Sequence, residues 1–402
     1  MAQQKQFGFV FFAIMLAMVN LLTSDVYVSA FPDIKESFAT SEMLVGWSLS
    51  IFFIGSILTL PIYGPMSDRF GRKPVLMVGL TIFAAGSFGC FFSTTIEEFL
   101  VARFFQAMGV CSAYVLWQPM VVDIYPEKDV QKIFSIVMPF LGISPALGPL
   151  FGGGLTEVFS WRSIFIFLLL LNFILVLWTM FIFKESLKTD VNKMKGSVLA
   201  SYRELTGSRI FIVIAITLGL CIGVYMAYLT LTPFLLESLD MSPVYIGLTF
   251  IPIAAAFGLG GGVGKSLCAQ YSELAVTKIG VFGLLTGSAV LIISISIAPL
   301  TAAYQLFVPF MLVTLSIGIT IPTGTSLVMS IHRDISGACS SGMNLISSLL
   351  AFIITLASAG LLAKYRVHTI GIVAVVCSVL AFLLISTTTG DEDSISTEEP
   401  TL

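Results

Sequence analysis

The stretch KESLKTDVNKMKGSVLASYRELTGSR, Lys184 to Arg209, is the one long polar interruption inside a chain of 402 residues that otherwise avoids charge. On both sides of it, apolar runs of about 18 residues or more follow one another almost without pause. Each is long enough, as a helix, to cross the roughly 30 Å of a bilayer's hydrocarbon. Of all residues 57% are hydrophobic and 11% are charged, where soluble domains carry about 25% charged residues. The chain is therefore a membrane protein, and no stretch is left over for a soluble domain of useful size.

Working outward from Lys184–Arg209, polar and turn-rich breaks predict twelve transmembrane helices. They begin near residues 8, 43, 75, 98, 131, 162, 209, 244, 275, 302, 336 and 367, six on each side of the polar segment. The expected organisation is a first six-helix bundle over 1–183, a linker over 184–209, a second bundle over 210–386, and an acidic, Ser/Thr-rich tail over 387–402 that is too polar to pack and is expected to be disordered. The N-terminal apolar stretch is too long for a signal peptide and has Asp25 at its far end, so it is read as a retained first span. If the N-terminus faces the cytoplasm, fifteen of the twenty Lys and Arg residues fall on that side. Basic excess marks the cytoplasmic face, and both termini are expected there.

Several classes of function lack their residues. A net charge of −3 gives no sign of nucleic-acid binding. The six cysteines are scattered through apolar segments with no C-x-x-C pair, which speaks against a metal site and for small apolar packing residues. Gly258 to Ser266, GLGGGVGKS, resembles a phosphate-binding loop until its spacing is counted: the position that needs glycine is Leu259, and no strand precedes it. No nucleotide or other cofactor is expected. An enzyme would need a clustered nucleophile, base or metal set, and the two histidines, His332 and His368, fall at opposite predicted membrane faces. A channel would show a pore-lining repeat or a charged ring, and a receptor a sensory domain; neither is present.

Inside the spans two charges sit deep, Asp25 in the first and Arg103 in the fourth. A charge in hydrocarbon costs about 2.5–3.5 kcal/mol on insertion scales, so such residues face a bundle interior or a wet cavity. The plainer readings are that Asp25 reaches water at the outer boundary and that Arg103 snorkels to the interface. The functional readings are a proton carrier at Asp25, because low-dielectric surroundings ease protonation of a carboxylate, and a gating or tuning charge at Arg103. Helical spacing puts Arg103, Gln106, Val110 and Tyr114 on one face, flanked by Trp117 and Gln118. A second polar stripe holds Ser341, Asn344 and Ser348, which are read equally as helix-to-helix contacts. Tyr225 and Tyr228 complete the candidate substrate cavity. The fifth span carries GISPALGPLFGGGL, Gly142 to Leu155, where prolines break the helix ladder and glycines allow close packing.

One further stretch, YGPMSDRFGRKP from Tyr63 to Pro74, packs an acid and three bases into the six positions Asp68 to Lys73. Through Gly64, Asp68, Arg69, Gly71, Arg72, Lys73 and Pro74 it resembles the loop 2–3 signature of the major facilitator superfamily. RFFQAMG (Arg103, Gln106, Gly109) resembles that family's fourth-helix signature, and GPLFGG (Gly148, Pro149, Gly152, Gly153) its fifth-helix antiporter signature. DIYP at Asp123, WRSIF at Trp161, SDVYVSAFPDI around Asp25 and SGACSSG at Ser336 are similar to its twelve-helix drug/proton antiporters of the bicyclomycin-resistance (Bcr/CflA) type. In one place the chain departs from these: Val122 stands where many relatives have an arginine.

The resemblance implies an all-α fold of two pseudo-symmetric six-helix bundles in a bacterial inner membrane. It also implies a monomeric proton-coupled exporter of small molecules, of drugs or else of a metabolite or siderophore, working by alternating access. Its partners would be substrate, protons and lipid. Asp68 and the bases after it would form a cytoplasmic gate with a helix N-terminus of the second half.

Overall fold

The computed structural model describes residues 2–187, 198–237, 243–297 and 301–388. In chain order its helices are α1 (Ala2–Asp25), α2 (Phe31–Ser37), α3 (Glu42–Phe70), α4 (Arg72–Phe92), α5 (Ile96–Ile124), α6 (Glu127–Val158), α7 (Arg162–Leu177), α8 (Val198–Gly207), α9 (Arg209–Glu237), α10 (Pro243–Leu267), α11 (Glu273–Ile297), α12 (Tyr304–Ile331), α13 (Ser336–Tyr365) and α14 (His368–Ser386). All are helices of the predicted spans except α2, a short turn after the first span, and α8, which lies in the linker. Among the described residues, eleven helical stretches are long and apolar enough to cross a membrane. The remaining long helix, α6, runs for 32 residues. The expected disordered tail lies almost wholly outside the described residues, as does the linker over 188–197.

Local chemistry sets the helix ends. Ser41 caps α3 by accepting from the Leu44 amide at 3.3 Å, and Thr95 caps α5 by accepting from Glu98 at 3.3 Å. Glu98 returns the favour to the Thr94 amide at 2.9 Å, a reciprocal cap of the first turn. Between α3 and α4 the chain turns on Gly71 alone, at φ 97°, a backbone shape that side-chain-bearing residues rarely adopt. The predicted loop is thus one residue long, and its charges sit on the last turns of α3 and the first turn of α4.

The described residues group into two compact units. One comprises Met1–Glu127, Phe140–Tyr202 and His332–Gly342; the other comprises Lys128–Pro139, Arg203–Ile331 and Met343–Leu402. Within the first, α4 packs on α5 and α7, and α5 also packs on α3 and α1; within the second, α11 packs on α12 and α14, and α12 also packs on α10 and α9. The partners repeat six spans later, which is the internal repeat that the even division of spans predicts. Close approach carries the packing where lipid offers no hydrophobic drive: a methyl group on Gly109 would overlap the backbone of Phe83, and one on Gly318 the carbonyl of Phe257. Large apolar side chains such as Phe88, Phe92, Val101 and Leu383 lie exposed on the surface, as a bilayer solvent requires.

Candidate functional site

The densest polar cluster forms around the α3–α4 junction. Asp68 is 2% exposed and Arg72 is fully buried, so each charge must be met by partners. Asp68 Oδ1 accepts from the Gly337 amide at 2.9 Å and Oδ2 from the Ala338 amide at 2.7 Å. These are amides of the first turn of α13, where orphan donors and the helix dipole favour an anion. Arg72 donates from Nη1 to Asp68 at 2.5 Å and to Ser67 at 2.7 Å, from Nε to Asp123 at 2.9 Å, and from Nη2 to Ser336 at 2.9 Å. The guanidinium fork is filled on every nitrogen, which a lysine could not reproduce.

Backbone contact brings the helices that close. A methyl group on Gly64 would overlap the Gly337 carbonyl and the Ser341 hydroxyl, and the Gly64 amide donates to Ser341 Oγ at 3.0 Å. Ser340 donates to the Val115 carbonyl at 2.8 Å and to Gln118 Oε1 at 2.6 Å. Arg333, just ahead of α13, donates to the carbonyls of Val122 and Tyr125 at the end of α5. At the turn of Val122, where the family resemblance leads one to expect an arginine, this chain supplies a guanidinium from Arg333.

On the other side of the junction, Glu185 accepts from the amides of Arg72 and Lys73, each at 3.0 Å, and so caps α4. Lys73 Nζ donates to the carbonyls of Met180 and Phe183 at 2.9 Å each, the end of the sixth span. Arg69 is exposed and lies 5.4 Å from the ring centre of its neighbour Phe70. Of the sequence-predicted gate residues, Gly64, Asp68, Gly71, Arg72 and Lys73 are thus assembled together and Arg69 stands on the rim.

The second cluster surrounds Arg103, which is fully buried. Its guanidinium carbon lies 3.9 Å from the ring centre of Tyr27 and 4.5 Å from that of Phe52. Ring faces stabilise a desolvated cation by about 2 kcal/mol. Nη1 donates to Gln106 Oε1 and, at 3.4 Å, to the Thr23 carbonyl; the Gln106 amide continues to Ser87 Oγ at 2.8 Å. Asp25, two residues beyond Thr23, ends α1, is partly exposed, and accepts from Ser24 Oγ at 2.9 Å. The fifth-helix glycines meet it: a methyl group on Gly148 would overlap the Asp25 side chain, and one on Gly152 the Val26 carbonyl. Around Gly153 there is open space, and the Pro149 side chain lies outside the described residues.

The remaining cavity candidates are distributed. Trp117 and Gln118 are buried and Tyr114 is partly exposed on α5. Tyr225, Tyr228 and Asn344 belong to the second unit, where the Tyr228 ring stacks on Phe310 with centres 3.6 Å apart and Tyr225 lies 6.4 Å from Phe257. Among the described residues no group of His, Cys, Asp and Glu is placed to hold a metal ion.

Sequence reasoning missed Glu185, Arg333, Ser336 and Ser340 as members of the first cluster. A basic residue such as Arg333 beside a membrane helix reads by sequence as a topology signal. The polar run from His332 to Asp334, directly before SGACSSG, was the one sequence signal pointing to a capped junction there.

Comparison with known proteins agrees with this architecture. The family described as Major Facilitator Superfamily matches residues 13–355. An uncharacterized MFS-type transporter of Bacillus subtilis strain 168, YdgK, is 27% identical over 85% of this chain and 86% of its own. The multidrug resistance protein MdtM of Escherichia coli O157:H7 is 23% identical over 81% of this chain and 80% of its own. The crystal structure of the transporter FucP in its outward conformation superposes with a TM-score of 0.74 at 14% identity, over 94% of this chain and 98% of that one.

Proposed function

The chain belongs to the Major Facilitator Superfamily and is a multi-pass membrane transporter, and from that premise we propose that it is a proton-coupled exporter of the Bcr/CflA type. Small molecules, drugs first among them, leave the cell while protons enter through alternating access. The family match supports a transporter. Multidrug-resistance relatives such as MdtM support the substrate class.

The observation that carries the coupling is the position of Asp25. It ends a membrane helix, partly exposed, packed by Gly148 of α6 and two residues from the carbonyl that Arg103 engages. A carboxyl so placed gains or loses a proton as the water around it changes, and protonation and substrate occupancy then exclude one another. Arg103 is the gating or tuning charge of the same cluster in this reading. The Asp68 cluster is the gate: bonds to the first turn of α13 hold one state of the cycle and break in the other.

A proton-release assay in everted vesicles, screened across drugs, amino acids and siderophores, tests direction, coupling and substrate together. Asp25→Asn is expected to abolish substrate-driven proton movement at unchanged expression. Undiminished proton-coupled transport by that variant would reject the assignment.

A further inference from the structure

We propose that Tyr202, on the linker helix α8, is a positioning residue of the Asp68 cluster: its phenol fills a hydrogen-bonding gap that Pro65 leaves in α3, and so ties the linker to the gate. α3 contains Pro61 and Pro65. In an α-helix the carbonyl of residue 61 takes the amide of residue 65, and a proline has no amide hydrogen to give. That carbonyl would be an orphan inside the packed end of α3, at a cost of about 1–3 kcal/mol. Tyr202 Oη donates to it at 2.8 Å.

The gap lies one turn before Asp68, beside the Gly64 amide that Ser341 engages. Ser341 also neighbours the Tyr202 hydroxyl. Thus the opened stretch of α3 between Pro61 and Asp68 is completed by four donors or acceptors from outside it: a phenol of α8, a hydroxyl of α13 and two amides of α13. Burial, with the Asp68 charge adding to it, pushes the Tyr202 phenol up to about 12. It therefore keeps its proton, and stays a donor, throughout physiological pH. Its contribution is complete below about pH 10, the ordinary tyrosine value, and would fade only as pH rises toward 12.

The division between the two compact units falls between Tyr202 and Arg203. Tyr202 is therefore the last residue that the linker contributes to the first unit, and α9 begins seven residues later at Arg209. The linker is in this reading a working part of the gate and more than a tether. This inference concerns contacts within the first unit and is independent of substrate, coupling ion and direction, so its test can fail while the transport reading stands, and the reverse.

Cys339, between Ala338 and Ser340, is fully buried and reports opening of the cluster by its rate of alkylation; the partly exposed Cys268 serves as an internal reference. In the full-length protein in membrane vesicles, with N-ethylmaleimide and site-resolved mass spectrometry, Tyr202→Phe is expected to speed Cys339 labelling roughly three- to tenfold relative to Cys268, the effect of one hydrogen bond. Pro65→Ala restores an amide for the Pro61 carbonyl, so in that background Tyr202→Phe should change the rate less than twofold. An unchanged Cys339 rate in Tyr202→Phe, or an effect of equal size with and without Pro65, overturns the proposal. Should the Pro65→Ala protein not accumulate, hydrogen exchange of the peptide containing Gly337 and Ala338 in Tyr202→Phe decides: faster exchange supports the role, and unchanged exchange removes it.

Discussion

The α3–α4 junction and the α10–α11 junction hold the same place in the two six-span repeats, yet they are built of different chemistry. At the first, Asp68, Arg72, Asp123 and Glu185 form a chain of charge-assisted bonds with two helix N-termini. At the second, α11 is capped by Ser272, which accepts from the Ala275 amide at 3.3 Å, and Glu273 accepts from the neutral hydroxyl of Ser326 at 2.6 Å. Lys265, which matches the basic end of the motif, is exposed. The sequence difference behind this is plain: GPMSDRFGRKP on one side, GKSLCAQYSE on the other. Buried charges that rely on one another fail together when one is removed, whereas a serine cap contributes locally. The first junction therefore depends on mutually supporting buried charges, and the second on local helix caps.

The largest expected effect is at Asp68. Asp68→Asn leaves the buried Arg72 with one carboxylate and removes the anion from the start of α13. By the cost of breaking a buried pair, about 3–5 kcal/mol, Cys339 alkylation should rise by more than a hundredfold and transport in vesicles should fall sharply. A rate within tenfold of the unaltered protein would break the contrast between the junctions. Glu185→Gln comes next. Glutamine keeps one acceptor for the α4 amides but loses the charge, and about 1 kcal/mol of helix-end stabilisation goes with it, read as a lower thermal midpoint in detergent and a several-fold faster Cys339 rate. The smallest effect belongs to Glu273→Gln. Its partner Ser326 can still donate, so about 0.5 kcal/mol and an unchanged Cys339 rate are expected; a change as large as that of Asp68→Asn would show that the two junctions are equivalent after all.

Much of this could be read from the amino-acid order. Eleven of the twelve expected spans are helices long and apolar enough to cross a membrane, and they follow from hydropathy and helix caps, because each is decided by residues within one or two turns. Asp25, Arg103 and Asp68 stood out because an isolated charge in an apolar run has few bland explanations. Glu185, Ser340 and Tyr202 did not stand out, because an acid, a serine or a tyrosine near a helix end is ordinary by itself. The role of Tyr202 depends on a missing amide at Pro65, more than a hundred residues away, and no local pattern records that separation.

By itself the sequence determined that the chain is a bundle of membrane helices in two like halves, with few charges inside its apolar spans. Only the tertiary structure decided that Arg333 meets the turn of Val122, that Arg72 fills its fork with Asp68, Asp123 and Ser336, and that the linker reaches Pro61. Span formation is set by the transfer of each segment into lipid, a property of neighbours along the chain. The partners of a buried charge are set by which helices can approach closely enough to satisfy it, a property of the whole packed unit.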